Sequence, residues 1–121
     1  MRWLTLPNNK QSKYKNKKVI VNDKVFDSKK EAKRYCELIN LERAGAIKDL
    51  EMQNPYELQP AFKKGEKTYR AITYYADFVY TDTRTGKIIV EDVKGFKTEI
   101  YKIKKKLFEY KYPDLTITEV Y

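Results

Sequence analysis

The stretch Tyr74-Tyr75-Ala76-Asp77-Phe78-Val79-Tyr80-Thr81-Asp82-Thr83-Arg84-Thr85-Gly86-Lys87-Ile88-Ile89-Val90-Glu91-Asp92-Val93-Lys94-Gly95 decides the fold. Two runs rich in β-branched and aromatic residues, 72–81 and 87–93, flank a polar segment ending in Gly86, which is the pattern of a β-hairpin. Side chains alternate across a strand, so Ile88, Val90, Asp92 and Lys94 share one face while Ile89, Glu91 and Val93 share the other. If residues 83–86 form a four-residue loop, Asp82 pairs with Lys87, and counting back sets Asp77 directly opposite Asp92, with Cβ atoms about 5 Å apart. Two carboxylates and one ammonium group then converge.

Like charges directly opposite on a sheet are destabilising, so this arrangement calls for a compensating cation or a raised pKa. Neutralising either acid is accordingly expected to stabilise the ligand-free protein. A divalent metal would supply the compensation, and oxygen ligands suit Mg²⁺ or Mn²⁺. Taken singly, each aspartate reads as a solvent-facing edge residue. Taken with Lys94, the order strand Asp, turn, apolar run and Asp-Val-Lys favours a functional site.

This pattern resembles the PD-(D/E)XK nuclease superfamily, in which an Asp on one strand is followed on the next by Asp or Glu, any residue and Lys. The resemblance covers 26–120. It implies an α/β (α+β) fold with a restriction-endonuclease-like αβββαβ core, a central mixed sheet flanked by two helices. It also implies a metal-dependent DNA endonuclease, similar to archaeal Holliday junction resolvases and small phage-encoded endonuclease-like proteins acting in DNA recombination or processing. The implied site is Asp77, Asp92, Lys94 and Glu31, with the metal held by Asp77, Asp92, the Val93 carbonyl and Glu31. Glu91 leaves a second acid beside Asp92; spacing to Lys94 and strand parity choose Asp92, and a bulge would reverse that choice.

Composition bounds the alternatives. Among 121 residues, Lys and Arg number 26 against 17 Asp and Glu, a formal net charge of +9, which points to a polyanionic partner, DNA first. There is no histidine, which removes Ser-His and Cys-His catalysis and His-ligated zinc. The single cysteine, Cys36, rules out a disulfide framework. No apolar run approaches ~18 residues and no signal peptide opens the chain, so no membrane partner and a cytoplasmic location are expected, in a bacterial host cell if the gene is phage-borne.

Residues 1–18 carry six basic residues and no acid and read as a flexible basic arm preceding a single nuclease-like domain, 19–121. Residues 18–26 alternate around Asn22-Asp23 as a short hairpin. Ser28 followed by Glu31 is a capping box opening a helix that runs to about Ala44, with Ala32, Tyr35, Cys36, Leu38, Ile39 and Ala44 inward, and stops at Gly45. Glu31 thus has two candidate roles, cap and metal ligand, which do not exclude one another.

Residues 46–53 read as a strand broken at Asn54-Pro55, and 56–62, containing Pro60, as at most an edge strand. Gln59 is a candidate to orient a ligand. Residues 63–67 read as a charged turn. A second helix spans 99–110, with Ile100, Ile103, Leu107 and Tyr110 as its apolar stripe, and residues 115–121 form a closing strand parallel to 87–93. Lys97, Lys102, Lys105, Lys106, Lys17 and Lys18 are the candidate phosphate contacts. A non-catalytic nucleic-acid-binding module and a phage accessory protein remain the other classes. Symmetric cleavage of a junction would require a homodimer.

Overall fold

Asn22 and Asp23 both have positive φ, 51° and 63°, the backbone that a tight two-residue hairpin turn demands. They join β2 (Val19–Val21) to β3 (Lys24–Phe26) as the alternation around them predicts. In the computed structural model, which describes residues 4–5 and 18–121, the chain divides into two units, 1–46 and 47–121.

In the first unit β1 (Leu4–Thr5) pairs antiparallel with β2, and β2 with β3. Leu4 and Thr5 are therefore strand rather than free arm; the rest of the expected arm, residues 1–3 and 6–17, lies outside the described residues, Lys17 included. Helix α1 (Lys29–Arg43) buries Ala32, Tyr35 and Leu38, and the Phe26 and Tyr35 rings meet at 5.0 Å. Cys36 and Ile39 are only half-buried and Ala44 is exposed. The helix stops where the spacing predicts, with Gly45 at φ 80°, because that left-handed backbone is easiest for glycine.

The second unit is a four-stranded mixed sheet in the order β4-β7-β8-β9, with β4 (Ile47–Gln59), β7 (Ile72–Asp82), β8 (Ile88–Val93) and β9 (Ile117–Val120). β4 pairs antiparallel with β7 and β7 with β8, and β9 returns parallel to β8 after α2 (Glu99–Lys111). A two-stranded ribbon, β5 (Phe62–Lys64) and β6 (Lys67–Tyr69), is inserted between β4 and β7. With the ribbon set aside, the order from α1 is helix, three strands, helix, strand, as expected for a mixed α+β fold.

Residues 63–67, expected as a charged turn, are instead the paired ends of the β5–β6 ribbon, with only Gly65 and Glu66 in the turn. Two further elements differ from expectation. β4 continues through Asn54 and Pro55, with Pro55 paired to Tyr75. It can do so because β4 is a sheet edge, where proline's missing N–H costs no ladder bond. Helix α2 is rotated relative to the predicted stripe: Tyr101 and Phe108 are buried, while Ile100 is 68% exposed and Ile103 58%. Leu107 and Tyr110 are exposed with them. Residues 101, 104, 105 and 108 are equally an i, i+3, i+4, i+7 set, and the sheet beneath offers the Tyr56 and Tyr74 rings beside its aliphatic residues. The Phe108 ring meets Tyr56 edge-on at 5.0 Å and Tyr74 at 5.4 Å, and Lys104 Nζ donates to the Thr73 carbonyl at 3.0 Å. Tyr74, Ala76, Val90, Tyr101, Phe108 and Ile117 form this core, with Val79 packed against it.

Candidate active site

The register of the β7–β8 hairpin brings the acids together. Phe78 pairs with Glu91, Val79 with Val90, Tyr80 with Ile89 and Thr81 with Ile88. The turn is closed by Gly86 N–H to the Asp82 carbonyl at 2.7 Å and Asp82 N–H to the Lys87 carbonyl at 2.9 Å. This is the four-residue loop expected from the sequence, and the same count sets Asp77 opposite Asp92. The ladder itself ends at Phe78 and Glu91. Beyond it, Asp77 Oδ2 accepts the Val93 N–H at 2.8 Å, satisfying a backbone donor that would otherwise lack a partner there. Asp77 Oδ1 accepts from Gln53 Nε2 at 3.2 Å.

Strict alternation fails close to Asp77. Tyr74 and Ala76 lie in the same core cluster as Val79, and residues an odd number apart cannot share a face of a regular strand. Opposite this break, Gln53 in β4 has φ 53°. The consequence is that Tyr74, which simple parity assigns to the other face, reaches Asp92: its hydroxyl donates to Asp92 Oδ2 at 2.7 Å.

Asp92 is only 4% exposed, so its charge needs partners. Besides Tyr74, Lys94 Nζ stands 2.6 Å from Oδ1. That contact is an ion pair without hydrogen-bond alignment, and Oδ1 is a buried acceptor with no hydrogen-bond donor aimed at it. The expectation that neutralising an acid would stabilise the protein is corrected for Asp92, since Lys94 already balances it.

The ammonium group of Lys94 also lies 3.7 Å from the centroid of the Tyr101 ring, an electrostatically favourable seat over the ring face. Tyr101 is fixed in turn by its hydroxyl bond to Glu119 Oε2 at 2.8 Å. Glu119 pairs in register with Asp92 across β8 and β9 and takes Lys97 at 3.0 Å and Lys105 at 3.7 Å.

Burial, reinforced by the Asp92 charge and hydrogen bond, pushes the Tyr74 hydroxyl well above the ordinary tyrosine value. Burial and the bond to Glu119 do the same to Tyr101. Both hydroxyls therefore remain donors at working pH. For Glu119, burial acts upward, yet the hydrogen bonds from Lys97 and Tyr101 and the Lys105 charge outweigh it and hold the carboxyl below its usual value.

The second unit alone thus gathers Asp77, Asp92, Val93 and Lys94. Glu91 is buried on the opposite face, bonded to the Tyr80 hydroxyl, as the alternation along β8 predicts. Glu31 belongs to the first unit, where its N–H donates to Ser28 Oγ at 3.2 Å in the capping turn. Gln59 is exposed at the end of β4; the amide that reaches an aspartate is Gln53. Lys97 and Lys105 are engaged with Glu119, and Lys102 with Glu99 at 3.1 Å. Lys106 and Lys18 are exposed.

Gln53, Tyr74, Tyr101 and Glu119 were not singled out from the sequence. The sequence's eleven tyrosines were the one available signal, and their number does not say which rings carry the acids.

Among the described residues no group of three or more His, Cys, Asp or Glu side chains forms a metal-binding cluster. Two carboxylates, one with a buried oxygen lacking an aligned donor, do fit the type of site that Mg²⁺ shares with water and substrate phosphates.

No curated protein and no solved structure matches the chain. The family model for DUF1064, described as a protein of unknown function, matches residues 11–121. With nearly its whole length covered, this chain belongs to the DUF1064 family.

Proposed function

We propose that this protein is a metal-dependent endonuclease of the PD-(D/E)XK type, hydrolysing phosphodiester bonds in DNA within a bacterial host cytoplasm. The observation that carries the reading is the Asp77, Asp92 and Lys94 constellation at the end of the β7–β8 hairpin. No helix among the described residues is long and apolar enough to cross a membrane.

Asp77 and Asp92, with the Val93 carbonyl, would hold Mg²⁺ or Mn²⁺. The ion supplies Lewis acidity toward the phosphoryl group and its attacking water. The chain does the rest. Gln53 and the Val93 N–H hold the Asp77 carboxylate, and Tyr74 holds that of Asp92. Lys94, seated between Asp92 and the Tyr101 ring, places a cation where charge develops on the phosphorus oxygens. The resemblance adds Glu31 to the metal set. A homodimer is the form that paired cuts in a four-way junction would need.

Labelled linear, flap and four-way DNA incubated in Mg²⁺, Mn²⁺ and EDTA tests the reading. Cleavage is expected with either metal and none in EDTA, and it should be abolished by Asp77→Asn and by Asp92→Asn with the fold retained. Glu31→Gln should lower turnover strongly if Glu31 meets the metal. A cap alone would survive the change, because Gln also reaches it. Metal-independent cleavage, or full activity in either aspartate variant, would refute the assignment. DNA binding without cleavage would leave a binding module.

A further inference from the structure

The β5–β6 ribbon is absent from the helix-strand order that frames the site. Its sequence, Phe62-Lys63-Lys64-Gly65-Glu66-Lys67-Thr68-Tyr69 followed by Arg70, carries four cations and one acid. Phe62 pairs with Tyr69, Lys63 with Thr68 and Lys64 with Lys67. A two-stranded ribbon is marginal in water unless something stiffens it. Here the Phe62 and Tyr69 rings do so, stacked at 4.6 Å and 9°. The Lys67 ammonium stands 4.9 Å from the Tyr69 ring centroid.

Two features set these cations apart from Lys97 and from Lys102, Lys105 and Lys111 of α2. The first is that Lys63, Lys64, Lys67 and Arg70 are all exposed and none is in an ion pair among the described residues, whereas Lys97, Lys102, Lys105 and Lys111 all face a carboxylate. An unpaired cation can meet a phosphate without first giving up a partner. The second is that Lys64 and Lys67 face each other directly across the ribbon, a like-charge pair that costs stability. An anion bound between them would remove that cost.

The ribbon also leads directly into the strand that carries Asp77: Tyr69 ends β6 and Ile72 starts β7.

We propose that the β5–β6 ribbon is a second nucleic-acid contact, in which Lys63, Lys64, Lys67 and Arg70 take backbone phosphates of the duplex that is cut at Asp77 and Asp92. The proposal rests on the nuclease reading for its substrate. Its partner is the sugar-phosphate backbone, so it adds affinity and orientation and carries no base sequence preference.

The test is a salt titration of binding to a labelled ~30 base-pair duplex in Ca²⁺, comparing wild type with the quadruple variant K63Q/K64Q/K67Q/R70Q. Each lost phosphate contact flattens the slope of log K against log salt by about 0.9, so the variant, which removes four, should lose about 3.6 units of slope and at least tenfold in affinity at ~100 mM salt. The charge-retaining K63R/K64R/K67R variant should keep both. All four positions are exposed and two repel each other, so the quadruple variant should melt no lower than wild type. An unchanged slope overturns the ribbon's role and leaves the nuclease reading standing. Wild type that fails to bind DNA at low salt overturns both. A variant with normal DNA binding that has lost binding to phosphatidylserine vesicles would assign the ribbon to a membrane surface instead.

Discussion

Asp92 is held at 4% exposure by two very different partners, and they divide its work. The Tyr74 hydroxyl satisfies Oδ2 at 2.7 Å, while Lys94 sits against Oδ1 at 2.6 Å and leaves that oxygen without an aligned donor. Tyr74→Phe deletes a hydrogen bond to a buried charge and little else, so it should lower stability by about 1.5–3 kcal/mol in urea titration. An unchanged midpoint would mean that the hydroxyl bond carries no weight. Asp92→Asn should also destabilise, since it leaves Lys94, only 16% exposed along its side chain, without its anion. The pair was legible in the sequence because Asp-Val-Lys places Asp92 and Lys94 on one face whatever the register. Tyr74 was not legible, because its route to Asp92 depends on a break in alternation that no local residue pattern announces.

At the scale of elements, turn chemistry and alternation sufficed for the β7–β8 hairpin. Gly86 and the polar residues before it left one sensible loop, and that loop fixed the opposition of Asp77 and Asp92. Helix α2 resisted because it carries two competing stripes of equal period, and hydropathy favours the wrong one. What turns it is the sheet: Tyr56, Tyr74 and the carboxylate of Glu119 match aromatic rings and a hydroxyl better than isoleucine. Phe108→Ala should therefore cost about 3–5 kcal/mol, while Ile103→Ala should stay within about 0.5 kcal/mol, both read from denaturant midpoints. A reversed ranking would show that the stripe legible in the sequence faces the sheet after all. β4 was misjudged for a related reason: Pro55 forbids a central strand, and the sequence does not say that this strand lies at an edge.

Over the whole molecule, a formal charge of +9 is divided between engaged and unengaged cations. Lys102, Lys105 and Lys111 of α2, with Lys97, are tied to Glu99, Glu119 and Glu57, and Lys104 donates to the Thr73 carbonyl, so the helix is less a phosphate-binding surface than its sequence reads. Lys94 stands apart from both groups: it is enclosed between Asp92 and the Tyr101 ring, where it can contribute little to ground-state attraction and much to a charged transition state. Single-turnover cleavage of saturating DNA in Mg²⁺ by Lys94→Ala, beside its binding affinity in Ca²⁺, tests that claim directly. Cleavage should fall by about 10²–10³, the scale of removing one preorganised group that stabilises developing charge, with affinity changed less than about threefold. Near-normal cleavage by Lys94→Ala would contradict the account.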